Sequence, residues 1–365
     1  MNNKRPIRIL NIVPNMRAAG VETLIMNIYR NIDRNKVQFD FIVHNSKREF
    51  YDDEIESLGG KIYRFTYKDD KNFLKYIKDL KNFFVRHKEY NIVHGHMQSM
   101  MPIYLYIAKK CGVKIRIAHS HNNSYEKSLK GFILHVLSRF SKCFSTTNFA
   151  CSIDAGKYLF GHEDFQVINN GIDMTKFKYN ENKRKQIRKE LGIGGDEILI
   201  GNIGRMEKQK NQLFLLDIFN EILKKNIKYK LIIIGNGSLK EKLIDYSKKI
   251  GVFENVIFKQ NIQNIQDYMS AMDVFCLPSL YEGLGIVLIE AQTSGLKCYA
   301  TKDSVASETK ITDNIDYLPL DKQAWVSELI KSDNKYFRKT YKSSDFDIKN
   351  VSKNMQDIYV SLYRK

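Results

Sequence analysis

The chain has 365 residues, 43% of them hydrophobic, with five prolines and no low-complexity tract, so it is long enough for two cores and is not a disordered protein. Its 59 Lys and Arg against 41 Asp and Glu leave a net charge of +18, more than half of it before residue 170. The charge is dispersed, without an Arg-rich run or an aromatic RNA-binding signature, which argues against nucleic acid and leaves an anionic membrane surface or solvated faces as its reason.

Short β-branched runs alternate with amphipathic stretches, the pattern of parallel strands with helical crossovers. In the first half, strands are expected at Ile7–Val13, Phe39–Val43, Lys61–Phe65, Ile92–His94, Ile115–His119 and Asn148–Cys151, with helices at Val21–Asn31 and Asn72–His87. In the second of these helices Phe73, Ile77, Leu80 and Phe84 recur at helical spacing. The Gly/Asn/Lys-rich stretch 170–182 breaks the pattern, which then restarts. Strands follow at Ile198–Ile203, Lys230–Ile234, Val256–Phe258, Val274–Pro278 and Cys298–Ala300. Helices are expected at Leu213–Lys224, Leu239–Ile250, Ile265–Met272, Ile286–Ser294 and Val351–Arg364, the last returning to the first half. Two open α/β sheets would hold ligands at the carboxyl ends of their strands, facing a cleft between them.

Five cysteines without a C-x-x-C spacing read as free, mostly buried thiols of a reducing compartment rather than a zinc site. The N-terminal apolar run is too short and polar for a secretory signal, and no run approaches the ~18 apolar residues of a membrane span. The expectation is a cytoplasmic protein that does not cross the bilayer.

Two carboxylates stand out. Glu282 lies in the glycine-containing turn Tyr281-Glu-Gly-Leu-Gly-Ile286, and Glu290 about a turn into the apolar helix that follows. A turn opening a helix offers free backbone N–H groups and partial positive charge, an anion site with a carboxylate on either side to grip hydroxyls. A nucleotide sugar has that layout. Arg205 and Lys210 follow the glycine that ends the strand Ile198–Ile203, where two cations neutralise a diphosphate without metal. Gly235-Asn-Gly237 is half a dinucleotide fingerprint, with Lys240 at the third glycine position, and reads equally as a tight strand-to-helix turn. Gly20 opens the first helix after the loop Pro14–Ala19, with Glu22 in its first turn.

Four of the eight histidines cluster at two strand ends, His94/His96 and His119/His121. No carboxylate or Cys stands at ligand spacing, so one cleft histidine contacting a sugar or accepting a proton is the better reading than a metal pair. Asp345-Phe-Asp347 is the single D-x-D string and lies in the polar tail, away from any core strand. Leu129, Phe132, Ile133, Val136, Leu137, Phe140 and Phe144 form an apolar stripe among Lys127, Lys130, Arg139 and Lys142. Such a stripe either packs into the core or meets a lipid-linked acceptor at a membrane surface.

At Arg116–Asn122, Phe149–Gly156, Leu159–Gly161, Ile168–Asp173, Gly204-Arg205 through Lys210-Asn211, Ala271–Ser279 and Glu282–Gly285 through Glu290–Gln292, the chain resembles glycosyltransferase family 4, in the subgroup of exopolysaccharide and capsule synthesis. The resemblance runs over nearly the whole chain. It implies a GT-B fold of two facing Rossmann-like domains: residues 1–170, completed by 346–365, binding the acceptor, and 171–345 binding the nucleotide sugar. It implies a retaining, metal-independent transfer of a hexose, with a UDP-sugar as donor, to a lipid-linked or oligosaccharide acceptor at the inner face of the cell membrane. On that analogy Arg205 and Lys210 hold the diphosphate and Glu290 grips the ribose. Glu282 and the backbone of Gly283, Leu284, Gly285 and Ile286 hold the hexose and phosphate. His121, or less favourably His119, contacts the sugar at the reaction centre, and Gly20 admits close approach of the first-domain loop. The chain departs from the family at Ala18-Ala19, where relatives have glycine, at Gly285, where they often have proline, and at Lys259-Gln-Asn261, which lacks a glycine. Two rivals remain: an epimerase or hydrolase of UDP-sugars on the same fold, expected to need further carboxylates, and a non-catalytic basic binding protein, which would not need Arg205, Lys210, Glu282 and Glu290 together.

Overall fold

The computed structural model describes residues 5–65, 72–123, 128–225, 228–331, 338, 341 and 343–365. The strands in chain order are β1 (Ile7–Ile12), β2 (Val37–Val43), β3 (Ile62–Arg64), β4 (Ile92–Gly95), β5 (Ile115–Ser120), β6 (Thr147–Ala150), β7 (Gln166–Val167), β8 (Ile198–Ile203), β9 (Tyr229–Ile234), β10 (Val256–Lys259), β11 (Val274–Leu277), β12 (Lys297–Thr301) and β13 (Ile315–Leu318). The helices are α1 (Gly20–Asn31), α2 (Asp52–Ser57), α3 (Phe73–Arg86), α4 (Met101–Lys110), α5 (Leu129–Ser138), α6 (Ile153–Phe160), α7 (Glu181–Glu190), α8 (Gln212–Lys225), α9 (Lys240–Lys249), α10 (Ile265–Ala271), α11 (Ile286–Thr293), α12 (Lys322–Lys331) and α13 (Ile348–Arg364). The chain divides into two compact units, Met1–Ile172 with Ser344–Lys365, and Asp173–Ser343.

The first unit is a seven-stranded parallel sheet in the order β3-β2-β1-β4-β5-β6-β7. Its central strands are apolar on both faces, as a sheet covered on both sides requires. Ile9, Phe39 and Phe41 join α1 and α13 in one core, while Leu10, Ile12 and Ile42 join α3, α4 and α6 in the other. Period-two alternation along the strands makes that division. Buried Asp40 is satisfied by the Arg8 guanidinium at 2.5 Å and the Tyr90 hydroxyl at 2.8 Å.

Helix α13 returns to this unit, as the sequence leads one to expect. Val351, Met355 and Tyr359 fall on one face and join the α1 side of the core, with Tyr359 edge-on to Phe39 at 5.8 Å. Asp347 caps the helix through Lys349 N, so the D-x-D string has a structural use. In α3 the N-cap is Asn72, and the buried face is Tyr76, Leu80, Phe83 and Phe84. Phe73, which shares the helical spacing and the face of Leu80 and Phe84, is exposed at the first residue of the helix, where it stacks on Tyr76.

The second unit is a six-stranded sheet in the order β10-β9-β8-β11-β12-β13. Short strands at the far edges of both sheets, β7 and β13, have no counterpart in the sequence reading: β7 has two residues and neither is buried, and β13 buries only Ile315 of its four. The strand order reverses between β1 and β4 in the first unit and between β8 and β11 in the second. Open α/β sheets bind ligands at such points, outside the carboxyl ends of the strands.

Candidate active site

In the second unit the chain leaves β8 through Gly204 and Arg205, makes a 3₁₀ turn at Lys208–Lys210, and enters α8 past Asn211, which takes the left-handed conformation at φ 53°. It leaves β11 through Pro278–Gly285 and enters α11. These two loops are joined by backbone and side chain. Leu280 N donates to the Gln209 carbonyl at 2.8 Å, and Gln209 Nε2 donates to the Tyr281 carbonyl at 2.8 Å. The stitching brings Lys210 Nζ to 2.5 Å from Glu282 Oε1, which also accepts from Ser279 Oγ at 2.5 Å. Glu282 is buried and Lys210 nearly so. Arg205 stays exposed, with Nη2 3.3 Å from Gln209 Oε1. Charges 72 residues apart in sequence therefore form one constellation at the switch point of the sheet.

Gly285 caps α11 in the left-handed conformation, φ 79° and ψ 46°. Proline, fixed near −65°, cannot take that place. The glycine thus gives this loop a different shape, beyond any gain in looseness. Beyond it the first turn of α11 offers amides that no helical carbonyl can reach. Glu290 lies one turn further on, half-buried, and burial pushes its carboxyl up to about 8 against the opposing pull of Lys176. Among the described residues no donor bonds that carboxyl. Glu282 and Glu290 are therefore unlike: one is a member of an ion pair, the other is open to a ligand.

Gly235-Asn-Gly237 packs backbone to backbone on the β8 loop. A Cβ on Gly235 would lie 2.0 Å from the Gly204 carbonyl oxygen, and one on Gly237 would lie 2.3 Å from that of Met206. The tight-turn reading accounts for both glycines. After β10, Asn261 supplies the left-handed turn at φ 54°, one of the few side chains that tolerates it, where a glycine was missed in the sequence.

In the first unit, Gly20 starts α1 with no unusual φ, and a Cβ there would meet nothing within 4 Å. Neither fold nor neighbours demand glycine at this place, which leaves free room beside the loop. Glu22 is buried, and burial raises its carboxyl above the ordinary value, with Arg17 pulling the other way.

The four strand-end histidines form a stack. His94 Nδ1 meets the Tyr359 hydroxyl at 2.7 Å, and His94 Nε2 meets His119 Nδ1 at 3.1 Å. His96 Nδ1 meets His121 Nε2 at 2.9 Å, and His96 Nε2 meets Asn11 Oδ1 at 3.3 Å. Burial lowers the basicity of all four, His121 to about 3, so the rings are neutral. One nitrogen from each of His94, His96 and His119 lies within 4.8 Å of the others, the reach of a metal ion. Both nitrogens of His94 and of His96 are already engaged in hydrogen bonds, so these rings are a bonded network rather than an open ligand set. His121, and not the deeply buried His119, lines a cavity of about 390 Å³ with Glu22, His96 and Asn122.

Helix α5 closes that cavity with Gly131, Leu134, His135 and Ser138, residues on one face. Its other face carries Leu129, Phe132, Ile133, Val136 and Leu137, continued by Phe140, all exposed, Leu129 at 77%. The core-packing reading is overturned for Leu129 to Phe140, since the helix is capped by Ser128 and sits with its apolar side outward, and holds for Phe144, which is partly buried against the core. Lys130 and Arg139 flank it, and Lys127 lies outside the described residues.

Ser279 and Gln209, whose roles are visible once the loops meet, were not legible in the sequence, nor were Lys176 and Asn11, which act on neighbours far away in the chain.

Two family descriptions match: Glycosyltransferase Family 4 over residues 18–176 and Glycosyl transferases group 1 over residues 183–318. The chain is 32% identical over 314 residues to the putative glycosyltransferase EpsF of Bacillus subtilis, covering 84% of this chain and 82% of that one. It is 27% identical over 375 residues to the capsular polysaccharide biosynthesis glycosyltransferase CapH of Staphylococcus aureus, covering 97% and 99%. In fold it resembles Anabaena Alr3699/HepE, crystallised with UDP and glucose, at TM-score 0.79 and 16% identity over 97% of this chain and all of that one.

Proposed function

The chain belongs to the family 4 glycosyltransferases, on a GT-B-class fold, and from that premise we propose that it moves a hexose from a UDP-sugar to a lipid-linked or saccharide acceptor in surface-polysaccharide synthesis, with retention and without metal. The observation that carries this is the Arg205–Lys210–Glu282–Ser279 constellation beside the N-terminus of α11. It offers two cations and a set of helix amides to one anion. Capsule synthesis by CapH and the UDP and glucose bound to HepE support the donor and the setting.

In this reading Arg205, Lys210 and the amides of Gly283–Ile286 bind the diphosphate. The negative charge on it grows as the bond from the anomeric carbon to the phosphate oxygen breaks, so these fixed groups stabilise the transition state more than the ground state. The acceptor hydroxyl oxygen bonds to that carbon from the same face, and its proton passes to the departing diphosphate oxygen. The step needs no enzyme nucleophile. Glu282 fixes the ammonium of Lys210 through Oε1 and keeps Oε2 for the hexose. Glu290 accepts the ribose hydroxyls, and His121 meets a sugar hydroxyl. Gly20 leaves room for the substrate at the first-unit loop.

The acceptor enters the cavity of the first unit. Its wall, α5, turns an apolar, basic-flanked face outward, which suits a helix lying in the headgroup region of an anionic membrane. No described helix is long and apolar enough to cross a membrane. We place the protein as peripheral at the inner face of the cell membrane. A transfer assay with UDP-sugars and a lipid-diphosphate saccharide, run with EDTA, tests the whole reading: turnover should persist with EDTA, and full loss restored by manganese contradicts the metal-free step.

A further inference from the structure

The proton positions on the histidine stack follow from its two ends. Asn11 Nδ2 donates to the Asp40 carbonyl at 3.4 Å. A carbonyl can only accept, so the amide is oriented with Oδ1 toward His96. His96 Nε2, 3.3 Å away, must then be the protonated nitrogen. A neutral imidazole has one proton, so His96 Nδ1 is a lone pair. It lies 2.9 Å from His121 Nε2, which must donate. The single proton of His121 is used there, and its Nδ1 is left as a bare acceptor. That atom is buried and has no partner among the described residues, while its ring lines the cavity of about 390 Å³.

The neighbouring pair runs the other way. The Tyr359 hydroxyl has no other acceptor among the described residues, so it donates to His94 Nδ1. His94 then donates from Nε2 to His119 Nδ1, and His119 keeps its proton on Nε2. The adjacent rings of His119 and His121, 4.1 Å apart, thus hold the same Nε2–H tautomer, each dictated from a different element. His119 Nε2 is likewise buried without a partner among the described residues, but it lies on His119, which does not line the cavity.

We propose that Asn11 and His96 are positioning residues that lock His121 in the Nε2–H tautomer, so that Nδ1 accepts a hydroxyl of the sugar in the cavity. The chemical class follows from the lone pair: a hydroxyl or other hydrogen-bond donor, never a carbonyl or a phosphate oxygen. Its assignment to the sugar rests on the transferase reading above.

His96→Gln and His96→Leu separate positioning from simple filling. Glutamine can copy the relay, its Nε2 donating to Asn11 and its Oε1 accepting from His121. Leucine keeps bulk and removes both bonds. Nitrogen-15 NMR of the full chain labelled at histidine, with His121 assigned by the loss of its signals in His121→Gln, reads the tautomer directly. The wild type should show the proton on Nε2 and a bare Nδ1, His96→Gln should keep that pattern, and His96→Leu should lose it. Turnover of the lipid-diphosphate saccharide should fall about tenfold to a hundredfold in His96→Leu, in kcat more than in donor KM, and mostly return in His96→Gln. A wild-type proton on His121 Nδ1 overturns the relay, whatever the kinetics. So does a His96→Gln enzyme as slow as His96→Leu with the tautomer unchanged. The spectrum does not depend on turnover: a chain that transfers no sugar yet keeps the Nε2–H tautomer would sink the transferase reading and leave the relay standing.

Discussion

The two units use opposite electrostatics at equivalent places in their sheets. At the β8/β11 switch point the second unit gathers formal charge, with Lys210 and Glu282 held at 2.5 Å and Arg205 beside them. At the β1/β4 switch point the first unit gathers four imidazoles that burial keeps neutral, an uncommonly basic-poor site in a chain of net charge +18. The lesson is a division of labour. In the transfer proposed above, fixed cations would meet the leaving diphosphate, and oriented lone pairs, which a nearby charge would disturb, would meet a sugar hydroxyl.

Breaking the charged half should have the largest effect. Glu290→Ala and Lys210→Ala should each lower kcat/KM by about a hundredfold to a thousandfold in a steady-state transfer assay. Lys210→Ala also strands a buried carboxylate, so a loss of about 3 kcal/mol in denaturant unfolding is expected with it, and Glu290→Ala should show no such loss. Normal activity in Glu290→Ala would remove that residue from the site. Gly285→Pro should abolish saturable UDP binding by calorimetry, because the loop must abandon its left-handed cap. Gly285→Ala, which can reach that conformation with strain, should lose only about 1–2 kcal/mol of stability.

The neutral half should respond to lipid rather than to nucleotide. Phe132→Asp with Leu137→Asp should weaken binding to anionic vesicles about tenfold by co-sedimentation and leave UDP binding unaltered, since both side chains are exposed. Vesicle binding by the wild type should fall as salt rises, and no binding at low salt would remove the membrane from the account.

The smallest expected effect is on pH. Glu290 has its carboxyl raised to about 8, so in the free protein its protonated form favours the fold. That contribution is complete below the ordinary carboxyl range and is lost as pH rises through about 8. Ribose hydroxyls prefer the ionised form. Donor affinity should therefore increase a few-fold as pH rises through about 8, and Glu290→Gln should flatten the curve. A wild-type affinity that is flat across that range would show that the carboxylate does not meet the ribose.

Much of the charged half was legible in the sequence. Arg205, Lys210 and Glu282 stand in loops after strongly apolar strands and Glu290 in the helix that follows, and the ends of those strands mark where each loop must open. Their pairing was not legible, because Ser279 and Gln209 bind through a loop-to-loop contact with no local pattern. The neutral half was harder to read. The histidines drew notice by clustering, yet their partners Asn11 and Tyr359 come from the first strand and the last helix. Helix α7 escaped notice for a different reason: its sequence is almost wholly charged, and it is held by Arg184 and Arg188 on Asp273 rather than by an apolar face. Helix α5 showed its periodicity clearly, but periodicity alone cannot say whether an apolar face turns inward or out.

The central claim is a metal-free nucleotide-sugar site in the second unit, and direct binding tests it best. Calorimetric titration of UDP-glucose into the full chain with EDTA present should give saturable binding that is unchanged by added manganese and lost in Glu290→Ala. Binding that appears only with manganese, or that survives Glu290→Ala at full strength, would contradict it.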